Sequence, residues 1–265
     1  MRPAEKILER HEGLGASDAP AALGLSPWKS ALELFLEKTG HSAGQAETLP
    51  MSVGKALESV VIDQFVQRTG LIVTAQQRQF LDHMLPWRWA TVDGIASDGN
   101  LVEAKTTSDD REWGEEGTDQ IPLHYVVQTQ HALAVTGFAL AWVPVLFYAR
   151  DFRLYRVERD EELIAEITAR ETEFWRRVQA NDPPEAITVS DLRLRYAKDT
   201  GATAVADEAC VERIVRVQAM QSALADAETK AEQVKAEIMA YMGEAAILVD
   251  AAGNELVTWK TTKGR

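Results

Sequence analysis

Two strand-like runs that meet at a tight glycine turn constrain this chain most. "WRWATVDGIAS" (87–97) leads through "SDGN" (97–100) into "NLVEAKTT" (100–107). Both runs are rich in β-branched and aromatic residues, and the joining residues are turn formers, so a β-hairpin is expected. A hairpin fixes antiparallel pairing, and the two-residue side-chain period then fixes which residues share a face. Glu103 and Lys105 fall on one face of their strand, and the pairing brings Asp93 of the preceding strand close to Glu103.

The neighbouring segments surround that hairpin with helices. Near the N-terminus two short helices are expected, one capped by Ser17 with Pro20 in its first turn, the next capped by Ser26 with Pro27 at its first position and closed by Gly40. Residues 52–68 form an amphipathic helix closed by Gly70, with Leu57, Val61 and Phe65 on its apolar stripe. A strand is expected over "LIVTAQQRQFL" (71–81), an acidic loop over 109–121 and a helix over 122–137. Two strands then turn near Arg150–Asp151, and a helix follows over about 160–179. This order predicts an α/β sandwich around a mixed sheet. No G-x-G-x-x-G follows a strand and no Walker lysine loop occurs, so a dinucleotide or P-loop nucleotide fold is excluded.

After Pro184 the character changes. Residues 205–242 are alanine-rich, and Met220, Leu224, Ala227, Ala231, Val234, Ile238 and Tyr241 repeat as a heptad. A hairpin turning at Gly253–Asn254 follows. The reading is therefore a core over 1–184 and an appendage over 185–265. A single cysteine, Cys210, excludes an internal disulfide framework. The N-terminal stretch lacks an apolar core like that of a signal peptide, and the longest apolar run, "GFALAWVPVLFYA", is too short to span a bilayer, so a cytoplasmic protein is expected. The formal net charge of −13 argues against a generally basic nucleic-acid-binding surface, but it leaves room for a local phosphate site and suits a carboxylate-rich metal centre.

The chemistry sits on the hairpin. Two carboxylates close together repel unless a cation compensates them, and Mg²⁺ favours such oxygen ligands. Asp93 and Glu103 are candidate ligands, with the backbone carbonyl of Ala104 as a third. Glu58 lies toward the Gly54, Val61 and Phe65 side of its helix, where a carboxylate needs a partner, and it is the candidate fourth. Gly54, one turn earlier, leaves room for close approach. Lys105 beside the metal would orient or deprotonate a water and stabilise phosphoryl charge. The reaction implied is metal-assisted phosphodiester hydrolysis. The competing reading is an ordinary strand ion pair.

Six stretches in order carry a resemblance: "ERHEGLGASDAPAALGLSPWKS", "GKALES", "TVDGI", "LVEAKTT", "IPLHYVVQTQHALAVTG" and "YRVERDEELI". Over residues 8–180 the chain resembles the YqaJ-type viral recombinase family, relatives of phage lambda exonuclease in the PD-(D/E)XK nuclease superfamily. The resemblance implies a restriction-endonuclease-like core, with Mg²⁺ (or Mn²⁺ in its place) as cofactor. It implies 5′→3′ digestion of one strand at double-stranded DNA ends, leaving 3′ tails for a single-strand annealing protein. It also implies a phage or prophage origin, a bacterial cytoplasmic location and a homo-oligomer, a ring trimer in lambda exonuclease. The family's metal and catalytic residues match Glu58, Asp93, Glu103 and Lys105. Its terminal-phosphate arginine and serine match Arg10 and Ser17, and its helical pair behind the active site matches Tyr125 and Gln128.

Ser17 at a helix start would also make that N-terminus an anion site. Gln128 is a candidate to hold a metal-bound water or contact DNA. His124 and His131 read as packing or DNA-facing residues. Among Trp28, Trp87, Trp89 and Trp142, core or hinge packing is the default, with base wedging the alternative. Two features depart from the family pattern: the acidic loop over 109–119, awkward beside a DNA backbone, and the 185–265 appendage. A repair nuclease or endonuclease of other polarity, and a non-catalytic DNA-end scaffold, remain as competing functions.

Overall fold

The computed structural model describes residues 9–44, 46–147, 151–196 and 198–259. Two compact units divide the chain, Met1–Lys198 and Asp199–Arg265. In the first unit the elements run β1 (Leu14–Gly15), α1 (Ala19–Ala22), α2 (Ala31–Lys38), α3 (Leu49–Thr69), β2 (Val73–Thr74), β3 (Arg78–Leu81), β4 (Arg88–Val92) and β5 (Gly94–Ala96). They continue through β6 (Leu101–Val102), β7 (Lys105–Thr107), α4 (Leu123–Thr136), β8 (Leu140–Phe147), β9 (Asp151–Glu158), α5 (Glu161–Ala180) and α6 (Val189–Arg195). The second unit contains α7 (Glu208–Met242) and the hairpin of β10 (Ile247–Val249) and β11 (Glu255–Thr258), which turns through Gly253 at φ 88°. The turn expected near Arg150–Asp151 falls partly outside the described residues.

The expected hairpin forms. β5 pairs antiparallel with β6, Gly94 opposite Val102, and the turn closes through Gly99 at φ 85°. β6 and β7 lie parallel to β8 in one continuous register, Val102 opposite Trp142 and Lys105 opposite Val145. Strand alternation then sorts the side chains. Leu101 joins Ala132, Leu133 and Ala141 in the core under α4, whereas Val102 joins Ile62 and Phe65 under α3. The mixed sheet is therefore covered on both faces by helices, as the α/β expectation requires.

The run over 71–81 departs from expectation. It is two strands in two sheets: β2 pairs with β5 in the six-stranded sheet, and β3 pairs with β4 in a three-stranded sheet with β1. Between Thr74↔Ile95 and Arg78↔Val92 the pairing gains one residue, a bulge that bends the ribbon from one sheet into the other. Ala75 and Gln77 absorb it at φ 52° and 54°, a region that residues other than glycine rarely occupy. Opposite the bulge, Asp93 is the residue between β4 and β5.

The caps near the N-terminus also differ. Ser17 does not cap α1; it lies exposed in a 3-10 turn, Ala16–Asp18, and the Asp18 carboxylate instead takes the Gly15 N–H and the Lys38 ammonium. The next helix starts at Ala31 and not after Ser26, because Ser30 and Glu33 exchange reciprocal capping bonds of 3.0 and 2.8 Å. Ser26 has lysine three residues on, so it cannot form that box; its Oγ accepts the N–H groups of Trp28 and Lys29. α3 begins at Leu49, earlier than expected, with Pro50 in its first turn, and ends as expected at Gly70 in the left-handed region.

Candidate active site

The site forms where the ribbon leaves the main sheet. Past Val102 the partner strand peels away at Asp93, so β7 has a strand partner only in β8 among the described residues. Glu103 and Ala104 occupy the gap between β6 and β7, with the Glu103 N–H still bonded to the Trp142 carbonyl at 2.9 Å. Glu103 and Lys105 share the face that carries Leu101, the face under α4.

Four donors organise the carboxylates. Lys105 Nζ and Gln128 Nε2 both donate to Glu103 Oε1, at 2.7 and 2.6 Å. The Ala104 N–H donates to Asp93 Oδ2 at 2.9 Å. Gln77 Nε2 reaches Glu58 Oε1 at 2.7 Å and Asp93 Oδ1 at 3.4 Å. Glu58 thus lies beside Asp93 on the α3 side, as helix periodicity required. Gly54, by contrast, is not forced: an added Cβ would meet Thr106 Oγ1 at an ordinary 3.4 Å.

Electrostatics records the crowding. Burial first, then Glu103 and Glu58, raise the Asp93 pKa to about 8 against the opposing pull of Lys105 and the Ala104 N–H. Burial alone would lower Lys105, but Glu103 foremost, with Tyr125 and Asp93, outweighs it and raises the pKa, so this lysine is held as an ammonium. The Lys105 Nζ lies 4.9 Å from the centroid of the Tyr125 ring, a cation–π contact.

Among the described residues no group of three Asp, Glu, His or Cys side chains is closed around a cation as it stands. N–H donors occupy both oxygens of Asp93 and one oxygen each of Glu103 and Glu58. The donor set nevertheless suits a hard divalent cation: Asp93 lies within the fields of both Glu103 and Glu58, and burial together with those two carboxylates raises its pKa to about 8. A bound cation would replace the Asp93 proton.

Tyr125 and Gln128 reach the centre from α4, whose position a buried network fixes. Glu171 on α5 forms an ion pair with Arg88, Nε to Oε2 3.0 Å, and its Oε1 lies 2.5 Å from His131 Nδ1, while His131 Nε2 lies 2.9 Å from the Trp89 carbonyl. His131 is therefore a packing residue. Arg10 and Ser17 do not join the carboxylate cluster. Arg10 sits exposed in a 3-10 turn whose carbonyl accepts Lys38 Nζ, and the turn bearing Ser17 packs on α4. Sequence reasoning misses Gln77, because "TAQQRQ" reads as uninterrupted strand and glutamine carries no signal for a left-handed backbone.

The two-sheet ribbon and the helices on both faces define the restriction-endonuclease-like fold of phage-type exonucleases. The alkaline exonuclease LHK-Exo of Laribacter hongkongensis superposes with a TM-score of 0.54 at 22% identity, over 71% of this chain and 95% of that one. A phage-related exonuclease from Haemophilus somnus 129PT gives 0.51 at 12% identity, over 64% and 94%. A YqaJ-like viral recombinase domain matches residues 8–139. The uncharacterized protein YqaJ of Bacillus subtilis (strain 168) is 31% identical over 97% of this chain and 82% of its own length. The chain belongs to the YqaJ-like viral recombinase family, which places it among the DNA-processing enzymes of recombination. Among the described residues no helix is long and apolar enough to cross a membrane.

Proposed function

We propose that this chain is a divalent-metal-dependent exonuclease that degrades one strand of duplex DNA from its 5′ end and leaves 3′ single-stranded tails for recombination. The observation that carries the proposal is the clustering of Glu58 and Glu103 around Asp93, with Lys105 on Glu103, at the point where β4 and β5 part. Family membership supports DNA as substrate, and the solved complex of LHK-Exo with dAMP supports a mononucleotide as product.

Asp93, Glu103 and the Ala104 carbonyl would hold Mg²⁺ (or Mn²⁺), with Glu58 completing the set. The metal would supply an activated water and polarise the phosphate. The protonated Lys105 stabilises charge on a phosphoryl oxygen. Gln128 keeps Glu103 aimed, and Tyr125 backs the ammonium. Arg10 and Ser17 are proposed to hold the 5′-phosphate. The reading extends to a cytoplasmic location, to assembly of several copies, a ring trimer on the lambda exonuclease pattern, and to an annealing partner that takes the tail.

Linear duplexes labelled at either end, with a 5′-phosphate or a 5′-hydroxyl, test this. Mg²⁺-dependent release of the 5′ label as mononucleotide, faster from phosphorylated ends, supports the reading. Cutting of closed circles, or loss of the 3′ label first, points to the endonuclease or opposite-polarity alternative. Binding to ends without hydrolysis points to a scaffold.

A further inference from the structure

Beside Lys105 lies an open cleft of about 560 Å³, with Trp28, Thr107, Glu112, Trp113, His124 and Tyr125 in its walls. That volume is in the range of small-molecule sites, roughly 300–1,000 Å³. Two of its residues belong to the catalytic neighbourhood. Thr107 follows Lys105 on the same strand face, and the Tyr125 ring touches the Lys105 ammonium. A nucleotide with its phosphate at Lys105 therefore has its base within reach of the cleft.

Trp28 is unlike the other tryptophans of its unit. Trp87 stacks on Trp175, Trp113 is buried among Tyr125, Phe147 and Tyr155, and Trp142 donates its indole N–H to Asp98. Trp28 is 64% exposed. Its backbone is nonetheless held, through the Ser26 hydroxyl, and its ring packs T-shaped against His124 with centroids 4.7 Å apart. An exposed indole on a fixed loop costs little to order on binding. His124 Nε2, buried in the same wall, has no hydrogen-bond partner among the described residues.

The charge on the walls decides which part of a nucleotide fits. Glu112 and Asp109 line the cleft, and Asp109 is already taken by Arg111. Carboxylates repel a phosphodiester backbone but accept the N–H donors of an uncharged base. We infer that this cleft is a nucleobase subsite, in which the base of the nucleotide being cut stacks on Trp28 while the acidic wall keeps phosphates out. The acidic loop then has a positive role at a DNA site. Stacking is indifferent to base identity, since every base offers a π face.

The inference rests on the proposed nuclease reading, but its test needs no cleavage. The deoxyribonucleoside 5′-monophosphate of 2-aminopurine, whose fluorescence falls on stacking, is titrated into the full-length protein, with deoxyribose 5-phosphate as the competitor that lacks a base. The wild type should quench the probe, and deoxyribose 5-phosphate should displace it poorly. Trp28→Ala should weaken probe binding about 10- to 100-fold, the span expected for one stacked base. Trp28→Phe, which keeps a ring, should retain most of it. Absence of quenching in the wild type, equal competition by deoxyribose 5-phosphate, or unchanged binding by Trp28→Ala would each overturn the subsite. A protein that quenches the probe but cuts no DNA end loses the nuclease reading alone; one that cuts ends while Trp28→Ala binds the probe normally loses the subsite alone.

Discussion

Gln128→Leu isolates one link in the proposed metal site. The Gln128 amide gives Glu103 Oε1 a 2.6 Å hydrogen bond from α4, and leucine keeps the side-chain size while removing the donor. A hydrogen bond to a charged group contributes about 1.5–3 kcal/mol, which at about 1.4 kcal/mol per tenfold corresponds to roughly 10- to 100-fold. Groups that orient a metal ligand from behind cost about the same in metal affinity when lost. The Mg²⁺ concentration for half-maximal release of a 5′ label should therefore rise about 10- to 100-fold, with much of the rate recovered at saturating metal. Calorimetric titration with Mn²⁺ should show the same shift without DNA. Half-saturation within twofold of wild type in both assays would refute the claim that Gln128 acts through Glu103. A fall in rate with no shift in metal dependence would place Gln128 on the substrate instead.

Three further outcomes follow from the same geometry. Asp93 is raised from 3.8 to about 8, so between those pH values the folded chain holds a proton that the unfolded chain has released, and stability falls as pH rises through that window. In chelator, Asp93→Asn should therefore melt above wild type at pH 9 and close to it near pH 4, and with Mg²⁺ supplied it should cut no ends; a melting difference that does not change with pH contradicts the assignment. Lys105→Met should bind duplex ends yet cut them about 100- to 1,000-fold more slowly, as for loss of one preorganised charge stabiliser; wild-type rates would remove Lys105 from the mechanism. Glu171→Leu removes the buried carboxylate shared by Arg88 and His131 and should lower stability by about 3–5 kcal/mol in urea unfolding, the range for breaking a buried pair.

Much of the site is legible in the sequence because strand period and hairpin pairing are local. Two-residue alternation places Glu103 and Lys105 together, and the glycine turn sets the register whose last pair, Gly94 opposite Val102, leaves Asp93 one residue beyond. Helix period turns Glu58 toward them. The bulge at Ala75–Gln77 is illegible, since tertiary pairing in two sheets imposes it against the residues' own backbone preference. Gln77 is lost with it. The N-terminal caps mislead for a related reason. Ser17 and Ser30 are both good cap residues, and what separates them is the partner: Glu33 for Ser30, and an Asp18 beside Ser17 that is committed to Lys38. Trp28 gives no sign of being the exposed tryptophan of its unit, because exposure is decided by α4 and the Ser26 turn rather than by its own sequence.

The proposed activity depends on Asp93 and Glu103 holding a divalent cation beside Lys105. An anomalous difference map from crystals soaked in Mn²⁺ would see that cation itself. A peak is expected about 2.2 Å from a carboxylate oxygen of each residue, close to the distances of hard-cation oxygen ligands. The Gln77 amide should have been displaced from Asp93, and the peak should be absent in Asp93→Asn crystals. Mn²⁺ bound elsewhere on the first unit with this pocket empty, or a peak that survives Asp93→Asn unchanged, would contradict the assignment.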